Sequence, residues 1–237
     1  MFPGGYLSVM QARNRAEFRD EVIRFTQSLG FETVSAITVL DHGLGRSEFI
    51  AVDNTPQKFV DSYCDAAVCR RDPVMQHCKT NTVPIIWDQS TYVKKGMGDR
   101  WDHLAGFGYS TGIAMALHLP EGRHFALGVD RPEPLPSDPN ELQRLVADLQ
   151  LFAVHAQDAA LRLLLPAASQ LERPALTPRE LEALRWTMEG KTAWEVGALL
   201  GISERTAVLH VNNAMHKLGC VNKHQAVLKA LRLGLIH

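Results

Sequence analysis

The stretch "LTPRELEALRWTMEGKTAWEVGALLGISERTAVLHVNNAMHKLG", residues 176–219, carries its own punctuation, and that punctuation organises the rest of the chain. Thr177 precedes Pro178, and Glu180 stands three residues after the threonine. A Thr side chain at that spacing accepts from one orphan amide while the Glu reaches back to another, so a helix is predicted to start here. Gly190, which tolerates a left-handed backbone, predicts its end. Thr192 with Glu195 repeats the start signal, Gly201 repeats the stop, and Ser203 opens a third helix. Further on, Asn222 with Gln225 opens a fourth that stops at Gly234. Four short helices, the second and third joined by a turn at Gly201, predict an all-α helix-turn-helix domain over residues 174–237.

The third helix has two apolar sides. Residues three and four apart share a face, so Ala207, Val211, Ala214 and Leu218 form one of them. This is the expected core face, where small alanines let a neighbouring helix approach. The other side holds Arg205, Val208, Leu209, Asn212, Asn213, His216 and Lys217. Apolar groups there suit a thymine methyl and Asn suits an adenine edge, which is the chemistry of a helix in a DNA groove; a surface for another protein is the alternative that spacing leaves open. Charge adds to the DNA reading. The whole chain of 237 residues has a net charge of -1, yet residues 173–237 hold nine Lys/Arg against five Glu, so the remainder is net acidic.

Pro166, Pro174 and Pro178, with small residues between them, predict a linker at 166–173 and a first domain over 1–165. Residues 139–165 repeat apolar side chains at three and four (Leu142, Leu145, Val146, Leu149, Phe152, Ala153, Ala156) and predict one long amphipathic helix; residues 17–28 predict another. "TVSAITVL" (33–40), "STGIAMALHL" (110–119) and "HFALGV" (124–129) have the β-rich or alternating character of strands, whereas "TPQKFVDSYC" (55–64) and "DRWDHLAGFG" (99–108) read as helices. The order predicts an α/β sandwich, a sheet flanked by helices.

Other classes of function find little support. No stretch approaches the roughly 20 apolar residues that span a bilayer, and the start lacks a basic segment leading into an apolar run, so a cytoplasmic protein is expected. Cys64, Cys69, Cys78 and Cys220 form no CxxC pair; Cys69 and Cys78 with His77 come nearest to a metal set, and neither a metal nor a cofactor is expected. "GFGYSTGIAMAL" (106–117) spaces its glycines G-x-G-x-x-x-G and runs into a strand where a phosphate-binding helix should start. A phosphate-accepting receiver would need an acidic cluster at strand ends, and no acidic pair stands at an expected strand end before Asp41. His118, His124, Asp130 and the cysteines offer no nucleophile, base and orienting group at workable spacing, so no enzyme is expected.

The quoted stretch resembles the DNA-binding module of the LuxR family of bacterial transcription regulators in Glu180, Leu184, Gly190, Lys191, Glu195, Ser203, Thr206, His210, Asn213, Lys217 and Leu218. The resemblance covers residues 174–237 and implies a DNA-binding surface that adds Lys191, Thr192 and Thr206 to Arg205, Val208, Leu209, Asn212, Asn213, His216 and Lys217. Arg205, Lys217 and Lys191 are the candidates for phosphate contact. Relatives often carry basic residues where Val208 and Asn212 stand, so the operator read by this chain is its own.

Upstream, "FVDSYCDAAVCRRDPVMQ" (59–76), "PIIWDQ" (84–89) and Gly112 resemble the acyl-homoserine-lactone-binding domain of quorum-sensing LuxR regulators, through Tyr63, Asp72, Pro73, Trp87 and Gly112. The resemblance implies that Asp72 accepts the signal's amide N–H, that Tyr63 reaches the acyl carbonyl and that Trp87 packs on the lactone. A small amphiphile does need an apolar cavity with a few fixed polar groups. Taken singly, Asp72 reads equally as a helix N-cap before Pro73, and Trp87 or Tyr63 as ordinary core. Phe59 stands where the family usually has a Trp that donates to the lactone carbonyl; Phe has no donor, and a buried carbonyl left unpaired costs ~1–3 kcal/mol. Trp101 and Tyr109, the latter expected on the same side of its strand as Thr111, would narrow the pocket toward a short, branched or aromatic chain. Asp130 falls near a strand end where relatives often have small polar residues.

The joint expectation is a cytoplasmic, homodimeric regulator of quorum sensing that binds an N-acyl-homoserine lactone and a near-palindromic DNA operator. The long helix at 138–165 and the fourth C-terminal helix, through Ala226, Val227, Ala230 and Leu231, are the expected dimer surfaces. The alternatives are the same fold answering a non-lactone signal or none, and an inhibitory partner of a related regulator.

Overall fold

The computed structural model describes residues 5–43, 46–62, 71–165 and 174–237. The chain forms two compact units, the first holding most of the chain up to residue 166 and the second running from 167 to 237. The stretch 166–173, where the linker is expected, lies outside the described residues, as do Tyr63, Cys64 and Cys69.

In the first unit the elements run α1 (Arg15–Ser28), β1 (Thr33–Gly43), β2 (Arg46–Asp53), α2 (Gln57–Ser62), α3 (Pro73–Thr80), β3 (Ile85–Trp87), α4 (Gln89–Val93), α5 (Gly98–Ala105), β4 (Thr111–Leu119), β5 (Arg123–Arg131) and α6 (Pro139–Leu164). The five strands form one antiparallel sheet in the order β2-β1-β5-β4-β3. This is the expected α/β architecture of a sheet flanked by helices.

Each central strand alternates between two kinds of side chain. Val34 and Ala36 of β1, Ile113 and Met115 of β4, and Phe125, Leu127 and Val129 of β5 are buried together with Phe18, Val22 and Phe25 of α1 and Leu149, Phe152, Ala153 and Ala156 of α6. The Phe25 and Phe152 rings stack with centroids 4.0 Å apart. Removing either ring would cost about 3–5 kcal/mol as a core truncation. The fully buried alanines of α6 let it lie close to its neighbours, and Arg162 near its end donates to the carbonyls of Met10 and Ala12. On the intervening positions the sheet carries small residues. Ser35 pairs with Gly128 and Gly128 with Ala114, so three adjacent strands present little bulk along one row. Helices α2 to α5 cover that side through a second cluster that includes Phe59, Val74, Trp87, Tyr92, Leu104 and Tyr109.

Three elements lie beyond the sequence reading, β2, β3 and α4, whereas α3 starts at the Asp72 N-cap that was one of the two readings of that residue. β2 is an edge strand with the polar opening Arg46, Ser47, Glu48, and β3 has three residues, too few for a period to register. Tyr109 precedes β4 rather than lying on it, and its amide donates to the Leu104 carbonyl at the end of α5. Among the described residues no helix is long and apolar enough to cross a membrane.

The second unit contains α7 (Pro178–Met188), α8 (Ala193–Leu200), α9 (Glu204–Lys217) and α10 (Lys223–Arg232). Thr177 with Glu180 and Thr192 with Glu195 form reciprocal capping boxes, while Ser203 and Asn222 accept from the amides of Thr206 and Gln225. Gly201 caps α8 at φ 67°, the left-handed value that the turn requires. Ala207, Ala214 and Leu218 of α9 are buried as expected, with Val211 half-buried. One expectation needs correcting. Ala226 and Ala230 are fully buried in the core of this unit with Leu184 and Leu218, so they cannot form an outward surface; Leu228 and Leu231 are the exposed apolar residues of α10. Alanines four apart serve here to bring α10 against its own unit.

The α8–α9 turn depends on Gly197. A Cβ at that position would lie 2.9 Å from the Ile202 carbonyl oxygen and 3.1 Å from the Glu204 amide, both backbone atoms. Gly197→Ala is expected to destabilise the second unit by about 1–3 kcal/mol, the usual cost of overpacking, measured as a lower urea midpoint; an unchanged midpoint would mean that the turn yields without cost.

Candidate ligand cavity and DNA-reading helix

Beneath α2 to α5 the small-residue row leaves a cavity of about 360 Å³. Its floor includes Ser35, Ala114, Ala126 and Gly128, and its walls include Phe59, Val74, Trp87 and Leu104. The lining is mostly apolar, with a few polar groups at defined places.

Asp72 is one of them, and it is also the N-cap of α3. Its Oδ1 accepts from the amides of Val74 at 2.9 Å and Met75 at 3.2 Å, and the Tyr92 hydroxyl donates to Oδ2 at 3.2 Å. Arg100 Nε lies 3.9 Å from the same Oδ2. The two readings of Asp72 are therefore compatible: one oxygen holds the helix while the carboxylate lines the cavity. Cys78, further along α3, also faces the cavity, and burial followed by the nearby Asp72 charge pushes its thiol up to about 11, which keeps it protonated.

The structure brings Phe59, Asp72, Trp87 and Tyr109 to the cavity. The Tyr109 ring stacks on Phe59 with centroids 4.4 Å apart. Trp101 joins the same apolar cluster but is not on the cavity wall; its indole donates to the Ser110 carbonyl at 2.9 Å and ties α5 to the approach to β4. Gly112 is not a lining residue either. It leaves room for two side chains, since a Cβ there would fall 2.8 Å from both Trp87 Nε1 and Asp130 Oδ1. Tyr63 lies outside the described residues. The cavity also receives Tyr92, Thr33, Ser35, Thr55 and Asp130, which were not among the candidate ligand residues. For Thr33, Ser35 and Asp130 register explains why: Thr33 pairs with Asp130 across 97 residues of sequence.

Asp130 keeps part of its surface exposed and lines the cavity. Burial pushes its carboxyl up to about 7, with the Asp72 charge adding to the push and the Thr33 hydroxyl, 3.5 Å away, opposing it. Burial, then the Asp130 charge, pushes Tyr109 up to about 12.

In the second unit, α9 turns Arg205, Val208, Leu209, Asn212, Asn213, His216 and Lys217 outward. Thr206 and Thr192 are near helix starts, where their hydroxyls bond to Ser203 and Glu195. Lys191, Val208 and Asn212 line a groove of about 300 Å³ together with Lys223. Lys217 behaves differently from Arg205. Its Nζ donates to Glu180 Oε2 at 2.8 Å, and Glu180 is buried and also accepts from the Thr177 amide at 2.7 Å. Burial pushes the Glu180 carboxyl up, but Lys217 and the Thr177 amide outweigh it and hold it below its ordinary value.

Comparison with known proteins places both units. Residues 14–160 match the family model described as "Autoinducer binding domain", and residues 174–230 match "Bacterial regulatory proteins, luxR family". The chain is 31% identical over 216 residues to the HTH-type quorum sensing-dependent transcriptional regulator RpaR of Rhodopseudomonas palustris, covering 88% of this chain and 84% of that one. It is 30% identical over 236 residues to the transcriptional activator protein SolR of Ralstonia nicotianae, covering 99% and 98%. Among solved structures, Escherichia coli SdiA superposes with a TM-score of 0.72 at 25% identity over 98% of this chain and 95% of that one. SdiA in complex with octanoyl-rac-glycerol gives 0.73 at 26% identity, covering 98% and 93%.

The Asp130 carboxyl has a measurable signature. An unfolded carboxyl titrates near 3.9, so the folded state holds this proton more tightly, and the stability it contributes is present below about pH 4 and lost as pH rises toward 7. Asp130→Asn is expected to abolish that loss. The melting temperature of the variant should rise relative to the native chain between pH 5 and 8, with a gain on the order of a few kcal/mol at the alkaline end. A gap that stays constant with pH would show that Asp130 is not a buried, raised carboxyl.

Proposed function

The chain belongs to the LuxR family of bacterial regulatory proteins, with an autoinducer-binding domain ahead of its helix-turn-helix, and we propose that it is a cytoplasmic homodimer that takes up an N-acyl-homoserine lactone and binds a near-palindromic DNA operator. It is a transcriptional regulator and not an enzyme. The observation that carries the ligand reading is an apolar cavity of about 360 Å³ with Asp72 in its wall, since a carboxylate beside an apolar void suits the amide N–H of an acylated head group. In this reading Asp72 and Tyr63 hold the amide and acyl carbonyl, Trp87 packs on the ring, and Phe59 and Tyr109 form the stacked wall behind it.

For DNA, the outward face of α9 enters the major groove with Val208, Leu209, Asn212, Asn213 and His216 toward base edges. Arg205 and Lys191 meet phosphates. Lys217 acts mainly by fixing α9 to α7 through Glu180. Exposed Leu151 and Val154 on α6, and Leu228 and Leu231 on α10, are apolar surfaces suited to a second copy of the chain. A dimer would set two such helices about 34 Å apart, one turn of the duplex.

A second reading is favoured by Phe59, which gives a lactone carbonyl no donor: the signal is an acylated amphiphile without a lactone. The SdiA complex with octanoyl-rac-glycerol is an instance of that chemistry in a relative.

Three measurements test these readings. Melting the purified protein with a panel of acyl-homoserine lactones and acylglycerols should give a shift with one class. A shift with acylglycerols alone would replace the lactone reading, and none with either would remove both. Gly128→Val offers a control, because a Cβ at Gly128 meets nothing within 4 Å. The variant should keep its fold, Val being favoured in strands, and lose roughly tenfold or more in ligand affinity as the floor fills. In gel shifts at several salt concentrations, Arg205→Ala should weaken binding evenly across sequences and lower the salt slope by about one; a loss confined to one base pair would make Arg205 a base contact instead.

A further inference from the structure

The two carboxylates of the cavity are in opposite states. Asp72 is used: two amides reach one oxygen and the Tyr92 hydroxyl reaches the other. Asp130 is open. Among the described residues the hydrogen bond that reaches its carboxylate is the one from Thr33, at the long distance of 3.5 Å. Beside it stands the Tyr109 hydroxyl, buried and without a hydrogen-bond partner among the described residues. The Thr33 and Thr55 hydroxyls come near enough to influence it, but neither reaches hydrogen-bonding geometry. A buried hydroxyl without a partner is costly, and native interiors rarely leave one so.

We propose that Asp130, Tyr109 and Thr33 form a second polar pole of the cavity, which binds a hydroxyl group of the ligand by accepting its hydrogen at Asp130 and donating to its oxygen from Tyr109. The proposal rests on the reading of the cavity as a site for an acylated amphiphile. The choice of a hydroxyl follows from the two groups of the corner that lack a close partner among the described residues, a strong acceptor at Asp130 and a donor at Tyr109. A carbonyl would satisfy Tyr109 and leave the ionised form of Asp130 without a donor. An ammonium would satisfy Asp130 and give the Tyr109 proton no lone pair. A hydroxyl does both. Phe59 helps to place the donor, because its ring stacks on that of Tyr109 with centroids 4.4 Å apart.

The hydroxyl can come from a substituted acyl chain or from a polyol head group, and matched pairs separate the two. Dissociation constants of the full chain would be measured for octanoyl-homoserine lactone against its β-hydroxyoctanoyl counterpart, and for propyl octanoate against octanoyl glycerol. In at least one pair the hydroxylated member should bind roughly tenfold tighter or more, and that pair names the source. Tyr109→Phe and Asp130→Asn should each bring the ratio close to one, with melting curves confirming that both variants fold. Equal affinity within both pairs for the native chain would overturn the proposal, as would a preference that survives both variants or a preference for a β-amino analogue. Binding without a hydroxyl preference sinks the second pole alone, whereas failure of all four compounds to bind removes the acyl-ligand reading along with it.

Discussion

Because successive side chains of a strand point to opposite faces, β4 and β5 serve two interiors at once. Toward α1 and α6 they present Ile113, Met115, Phe125, Leu127 and Val129, and the packing there is continuous. Toward α2 to α5 they present Ala114, Ala126 and Gly128, and the packing stops short of closing. The void needs no separate device. It follows from small side chains on one parity of adjacent strands, roofed by helices α2 to α5. The same alternation delivers Asp130 to the cavity while Val129 enters the core.

The second unit is organised by a different constraint, a buried carboxylate that must be answered. Glu180 closes the capping box of α7 and, from the same oxygen, meets Lys217 at the end of α9. A charge removed from water is tolerable only when paired and hydrogen-bonded, so the ion pair registers α9 against α7. Gly197 sets the other contact of α9, because the backbone of the turn lies directly against α8. Between them these contacts fix the orientation of the outward face that carries Arg205, Val208 and Asn212.

The second unit was the more legible in the sequence because its signals are local. A cap and its partner are three residues apart, and Thr177, Thr192, Ser203 and Asn222 each do what that spacing dictates. The first unit was legible where alternation was clean, in β1, β4 and β5. It was not legible in β2, whose edge position admits polar residues, or in β3, which is too short for a period. The site divides in the same way. Phe59, Asp72 and Trp87 came from a resemblance, whereas Thr33 and Ser35 reach the cavity only through strand register, which no local pattern encodes. Trp101 shows the limit of reading residue type alone, for its indole is engaged by Ser110 rather than by the cavity. Ala226 and Ala230 show that an apolar stripe on a terminal helix can belong to the core beneath it.

The row of Ser35, Gly128 and Ala114 has a bearing on descent. Its residues are not part of the cluster packed on α1 and α6, so its volume is nearly uncoupled from that packing. Lineages can therefore exchange a small residue for a larger one along this row, reshaping which molecules fit, while the opposite face keeps the domain folded. Selection for a new signal and selection for a stable chain then act on different columns of the sequence, and a change of message requires no passage through a misfolded ancestor.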